Sequence, residues 1–173
     1  LIKCKIKLNE DCKELYEKVL NYYLKKNNFE KALKIFNDYL VLFPRFEKRF
    51  YILGSIHSSL GNLDIAKDFF NSGIKENISI SDCFYGLGLI EEKLGNEENA
   101  LKYYEKSNKI NESANYLNQI GKIHMNSVNN QDYKKAEIFF NKAMTIDPEY
   151  IKASINNGIL MQKQFRFKDA FKS

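Results

Sequence analysis

Residues 50–73 read Phe50-Tyr-Ile-Leu-Gly54-Ser-Ile-His57-Ser-Ser-Leu60-Gly61-Asn62-Leu63-Asp-Ile-Ala66-Lys-Asp-Phe-Phe70-Asn-Ser-Gly73. Before Leu60-Gly61-Asn62, a face of Phe50, Leu53, Ile56, His57 and Leu60 falls at helical spacing. After it, Leu63, Ala66, Phe69, Phe70, Gly73 and Ile74 do the same. Gly and Asn tolerate the left-handed backbone that closes a helix. The stretch is therefore predicted to be a helix, a tight turn and a second helix.

The same text recurs along the chain. Gly54, Gly88, Gly121 and Gly158 stand 34, 33 and 37 residues apart, and Ala32, Ala66, Ala100, Ala136 and Ala170 advance by 34, 34, 36 and 34. Four residues after each of the first four alanines comes an aromatic: Phe36, Phe70, Tyr104 and Phe140. Leu94-Gly95-Asn96 and Asn27-Asn28-Phe29 repeat the turn, and Pro44 and Pro148 fall where the first and fourth units end. Columns that share one period identify an array of helical hairpins. Two antiparallel helices approach closely only where a side chain is small, so the glycine is expected to face the alanine, with the aromatic filling the gap beyond.

Composition agrees with such an array. The chain has 173 residues, 44% apolar and 28% charged, which is enough to bury a core and too apolar to be disordered. Two Pro and eight Gly argue against a loop-rich all-β fold. Swollen Lys, Asn, Ile, Tyr and Phe against sparse Ala, Gly, Arg and Pro point to an A+T-rich genome rather than to a function. The net charge of +5 is spread along the chain, and its basic residues are Lys except for Arg45, Arg49 and Arg166, which disfavours nucleic acid as a partner. Cys4, Cys12 and Cys83, odd in number and without C-x-x-C spacing, indicate neither a disulfide framework nor zinc and fit a reducing, cytoplasmic compartment. No stretch approaches the roughly 18 uninterrupted apolar residues of a membrane span. The first residue is Leu1 rather than Met, so a signal or anchor upstream stays open.

At these residues the units resemble tetratricopeptide repeats, whose pattern runs aromatic, Leu-Gly, aromatic, then Gly-x-Tyr-x-x-Ala, aromatic, small residue and Pro. The best match is Phe50, Leu53-Gly54, Leu60-Gly61, Leu63, Ala66, Phe70 and Gly73. Phe84, Leu87-Gly88, Leu94-Gly95, Ala100, Tyr104 and Ser107 follow, then Ile120-Gly121, Tyr133, Ala136, Phe140, Ala143 and Pro148. The resemblance implies an all-α, right-handed superhelical solenoid of about four and a half repeats. Units are placed at 13–46, 47–80, 81–113 and 114–150, with an incomplete unit at 151–173, the tail of a preceding helix at 1–12, and all of it one solenoid domain.

Departures from the pattern carry their own expectations. Leu20 stands in the glycine column of the first unit and Tyr39 in its later small place, so that unit should pack more loosely or at altered angles. The fourth unit has three extra residues in its inner turn, within Ser127–Asp132, read as a surface insertion. His57 and His124 replace an aromatic and, two units apart, are read as packing residues rather than metal ligands. No phosphate-loop, zinc-protease or nucleophile-elbow motif occurs, and Gly86-Leu87-Gly88 sits in a helix with no strand before it. Catalysis, metal and cofactors are thus not expected. Carboxylates such as Glu91-Glu92 and Glu97-Glu98 lie beside lysines on outward faces.

In the resembled family the first helices line the concave face and commonly bind an extended peptide or a partner helix. That implies a non-catalytic interaction scaffold here, with a protein or peptide ligand. The exposed face would present Glu14, Glu17 and Asn21, then Lys48, Tyr51 and Ser55, then Asp82, Tyr85, Leu89 and Glu92. Asn115, Asn118, Lys122 and Met125 would follow, then Lys152, Ile155 and Ile159. The binding residues are expected to be Tyr51, Ser55, Tyr85, Leu89, Asn118, Lys122 and Ile155, unless the tyrosines only pad neighbouring repeats. The family's carboxylate clamp for chaperone tails is not supported, because Glu17, Ile52 and Asp82 stand where Lys, Asn and Lys are needed, although Asn21 fits. Self-association stays open. So do RNA binding of the pentatricopeptide type, suggested by pI ≈ 8.9, and a regulatory part of a longer enzyme or assembly factor.

Overall fold

The computed structural model describes residues 2–127 and 132–170, and the side-chain surroundings of residues 12–127 and 132–165. Among the described residues every regular element is an α-helix. Hairpins are formed by α1 (Ile2–Lys25) with α2 (Phe29–Leu42), and by α3 (Arg49–Ser59) with α4 (Leu63–Lys75). Then come α5 (Ile80–Lys93) with α6 (Glu97–Ile110), α7 (Ala114–Asn126) with α8 (Tyr133–Ile146), and α9 (Ile151–Ala170). They gather into two compact units, Leu1–Ser79 and Ile80–Ser173. Helix α1 runs unbroken across the expected unit boundary at residue 13, with no Gly or Pro between Ile2 and Lys25 to stop it.

The inner turns of the first three hairpins share one backbone device. Asn27, Gly61 and Gly95 take positive φ of 53°, 85° and 78°. The next residue's N–H then reaches back five places, Asn28 to Tyr23, Asn62 to His57 and Asn96 to Glu91, at 2.9–3.0 Å. This left-handed cap satisfies carbonyls that the helix end would otherwise leave bare. On the far side, the Lys31 N–H donates to Asn28 Oδ1 at 3.2 Å, and the Lys135 N–H to Asp132 Oδ1 at 3.0 Å, capping α2 and α8. Helices α2 and α8 end two residues before Pro44 and Pro148, on Phe43 and Asp147, whose φ of −127° and −138° are extended. Within the inserted turn of the fourth hairpin, Val128–Gln131 lie outside the described residues. Its flanks are anchored by Ser127 N–H on Ile123 O and Asp132 N–H on His124 O, both 2.8 Å.

The glycine column lies under the aromatics. A Cβ on Gly54 would stand 2.4 Å from Phe70 Cε1, on Gly88 2.5 Å from Tyr104 Cε1, and on Gly121 2.6 Å from Phe140 Cε1. Each ring lies directly on the opposite helix backbone, nearer to the glycine than any other side chain, which only a missing side chain permits. Ala32, Ala66, Ala100 and Ala136 are fully buried one turn before the rings. Gly158 in α9 has nothing within 4 Å of such a Cβ. The Ala170 side chain lies outside the described surroundings.

In the first hairpin Leu20 occupies the glycine place and is buried with Phe36. Tyr39 fills the place held by Gly73, Ser107 and Ala143 in later units. Its ring packs on Phe36, Phe43, Phe46 and Tyr16 at centroid distances of 5.8, 4.8, 5.3 and 6.0 Å. These larger side chains leave a cavity of about 210 Å³ beside them, lined by Leu20, Phe36 and Tyr39 among others. In the third hairpin Ser107 is fully buried and donates to Ser81 O at 2.7 Å. His57 and His124 stack on Phe69 and Phe139, with ring centroids 5.4 and 5.6 Å apart.

Candidate functional site

Within the unit Ile80–Ser173, the first helices α5, α7 and α9 contribute side chains to a cleft of about 280 Å³. Its wall is a ladder of tyrosines and amides. Tyr85 Oη donates to Asn115 Oδ1 at 3.2 Å, Tyr150 Oη donates to the same atom at 2.8 Å, and Asn156 Nδ2 donates to Asn118 Oδ1 at 2.8 Å. Gln119 Oε1 accepts from Lys122 Nζ at 2.9 Å, and Lys122 also pairs with Glu92 Oε1 at 3.0 Å. The other Glu92 oxygen takes the Tyr104 hydroxyl at 2.6 Å. Residues 30 or more apart in sequence are thus tied by bonds that hold one first helix to the next.

Burial keeps the phenols protonated. Tyr85 and Tyr150 are raised above their ordinary pKa chiefly by burial. Tyr104 is raised further, by burial and then by the Glu92 carboxylate that accepts its hydrogen bond. These hydroxyls serve as hydrogen-bond donors, not as bases. Asn115 receives two bonds on Oδ1, which leaves Nδ2 to donate elsewhere. Lys152 and Ile155 form an exposed rim, with Ile155 56% exposed.

Tyr85, Asn118, Lys122 and Ile155 of the expected set line this one cleft. Tyr85 and Asn118 are nevertheless only 7% and 3% exposed, so the open surface expected of them is corrected. Tyr85 packs between Tyr104 and Tyr116, at centroid distances of 5.6 and 5.0 Å, and offers only its hydroxyl edge. Met125, also expected on the surface, is buried in the cluster with Ala136, Phe140 and Leu160. Leu89 is half-buried on α5 and is not part of the cleft wall. Tyr51 and Ser55 belong to the unit Leu1–Ser79, where both are half-buried and the Tyr51 ring lies 6.2 Å from Phe70.

Gln119, Tyr150 and Asn156 were not among the expected residues. Gln119 follows Asn115, and Asn156 follows Lys152, by one helical turn, so the i,i+4 rule applied to those two would have found them. Of the clamp positions, Asp82 accepts the Tyr116 hydroxyl at 2.8 Å, and Ile52 lines the cavity of the first hairpin.

Helix hairpins of this length, with glycine under a facing ring and left-handed inner turns, define a helical-repeat protein. The tetratricopeptide repeat model matches residues 48–77, 81–113 and 114–150, more than half of the chain, and the chain belongs to that family. The fold of this family is typically a non-catalytic interaction scaffold. Over 128 residues the chain is 29% identical to anaphase-promoting complex subunit 3 of Schizosaccharomyces pombe, covering 73% of the chain but only 19% of that subunit's length. Among solved structures it is similar to a thermophilic TPR protein of Thermus thermophilus, with TM-score 0.73 and 14% identity over 92% of this chain and 87% of that one. The Pseudomonas aeruginosa protein PilF is similar with TM-score 0.69 and 12% identity over 95% and 74%. YrrB, described as a TPR protein with an unusual peptide-binding site, has TM-score 0.54 and 24% identity over 86% and 76%. Likeness at these identities concerns the fold. No helix among the described residues is long and apolar enough to cross a membrane.

Proposed function

We propose that the chain is a non-catalytic protein-interaction scaffold that takes an extended polypeptide segment along the cleft of α5, α7 and α9. The observation that carries this reading is the amide ladder of Asn115, Asn118, Gln119 and Asn156 beneath an exposed Ile155 rim. The amide atoms left over from these bonds, Asn115 Nδ2 among them, can pair with a peptide backbone, while Ile155 supplies apolar area for one side chain. The bonds between neighbouring first helices fix these groups before a ligand arrives, which lowers the ordering cost of binding. Resemblance to a segment of a subunit of a multi-subunit complex and to a peptide-binding TPR protein supports the same reading.

The test is selection of peptides from a random display library on the purified chain, followed by calorimetry with the selected peptide. Lys152→Glu with Ile155→Asp changes two exposed rim residues and should leave helicity intact while weakening binding by about tenfold or more. Binding unchanged in that variant would remove the cleft from consideration.

A further inference from the structure

The first hairpin departs from its family pattern at Leu20 and Tyr39, and the cavity beside them has a built polar end. About 210 Å³ is enclosed by Tyr16, Leu20, Phe36, Tyr39, Phe46 and Ile52, with Glu17 and Asn21 at the same site. That is smaller than the roughly 300 Å³ at which pockets for drug-sized ligands begin, and it suits one long side chain. The Tyr39 hydroxyl is the unusual atom: the residue is 3% exposed, and burial, then the Glu17 carboxylate beside its hydroxyl, holds the phenol above its ordinary pKa. A phenol whose hydrogen faces a carboxylate keeps its oxygen lone pairs as acceptors, and a ligand donor would engage them.

Glu17 is the charged residue of this cavity, and its carboxylate lies beside the Tyr39 hydroxyl. It stands where the carboxylate-clamp members of the family carry Lys, so the charge of the pocket is reversed at that point. Aromatic faces beside a carboxylate attract a cation and bury its aliphatic stem. We infer that this cavity in the first hairpin receives a single Lys or Arg side chain of a bound polypeptide. In it the Glu17 carboxylate would meet the charge, the Tyr39 oxygen would accept an N–H, and Tyr16 and Phe46 would flank the stem. The inference concerns a different site from the amide-lined cleft, and neither depends on the other.

The probes are acetyl-Gly-Arg-Gly-amide and its Lys analogue, titrated into isotope-labelled chain by NMR, with the norleucine analogue as the uncharged control. Shifts centred on Glu17, Tyr39 and Phe46 are expected for the basic peptides, with much smaller ones for norleucine. Glu17→Gln, at a half-buried position, should weaken binding about tenfold. Tyr39→Phe, which removes the accepting oxygen and keeps the ring, should also weaken it. Equal binding of norleucine, shifts unchanged by Glu17→Gln, or no response at these residues would each overturn the assignment.

Discussion

Gly88→Ala and Gly158→Ala make the same substitution in the same column of the repeat, and the structure assigns them opposite signs. At Gly88 the new methyl would sit 2.5 and 2.6 Å from Cε1 and Cδ1 of Tyr104, about 1 Å inside a comfortable carbon–carbon contact. The ring is fully buried, and its hydroxyl is tied to Glu92 at 2.6 Å, so it cannot swing aside without breaking that bond. Overpacking costs about 1–3 kcal/mol, and loss of a hydrogen bond to a charged group about 1.5–3 kcal/mol. Alanine returns about 1 kcal/mol of helix propensity. The net loss expected is about 1.5–5 kcal/mol. At Gly158 the methyl meets nothing within 4 Å, so only the propensity gain of about 0.5–1 kcal/mol remains. Urea unfolding followed by far-UV circular dichroism reads both, with the Gly88 variant's midpoint lowered by about 1–2 M and the Gly158 variant's slightly raised. A Gly88→Ala protein as stable as the parent, or one matched in loss by Gly158→Ala, would refute the ring-on-backbone account.

Three further outcomes follow from the core. Ala100→Leu, at a fully buried position, should lower thermal stability by about 1–3 kcal/mol, and an unchanged melting curve would defeat the close-packing assignment. The Cys83 thiol is pushed up to about 12 by burial and by the Asp82 carboxylate. Iodoacetamide near pH 8 should therefore modify exposed Cys12 and spare Cys83 until the chain unfolds, read by peptide mass spectrometry; equal labelling of both would count against it. His124 is held below its ordinary pKa, first by burial and then by Lys135. The unfolded chain then binds more protons than the folded one as pH falls below about 6.5, so this contribution is present above that pH and lost through the lower folded value. The melting temperature of His124→Phe should fall less than that of the parent between about pH 7 and 5, and parallel profiles would exclude the residue.

The hairpins were legible because their steric rules act within one repeat. Gly54 and Phe70, or Gly88 and Tyr104, recur at a fixed spacing that no other pairing imposes. Which small residue lies under the ring was not legible: Gly and Ala share the interface in sequence, and only the crossing of the two helices decides between them. The cleft was half legible. Periodicity placed Tyr85, Asn118 and Met125 on the first helices but could not show that the next hairpin covers them, since burial there depends on how neighbouring hairpins stack. The Tyr39 cavity was signalled only as a departure from pattern, because volume left over between large side chains has no sequence signature.

The ring on the glycine also bears on how the chain reaches its fold. The contact joins residues 16 apart in the Gly54–Phe70 and Gly88–Tyr104 hairpins and 19 apart in Gly121–Phe140. Closing the longer loop adds only about 0.2 kcal/mol of chain entropy, so the insertion scarcely slows its hairpin. Contacts this local favour fast folding, and a hairpin can complete its own ring contact while the residues of the next are still being synthesised. Gly88→Ala should consequently act on the folding rate of its own hairpin, leaving Gly54 and Gly121 to nucleate theirs as before.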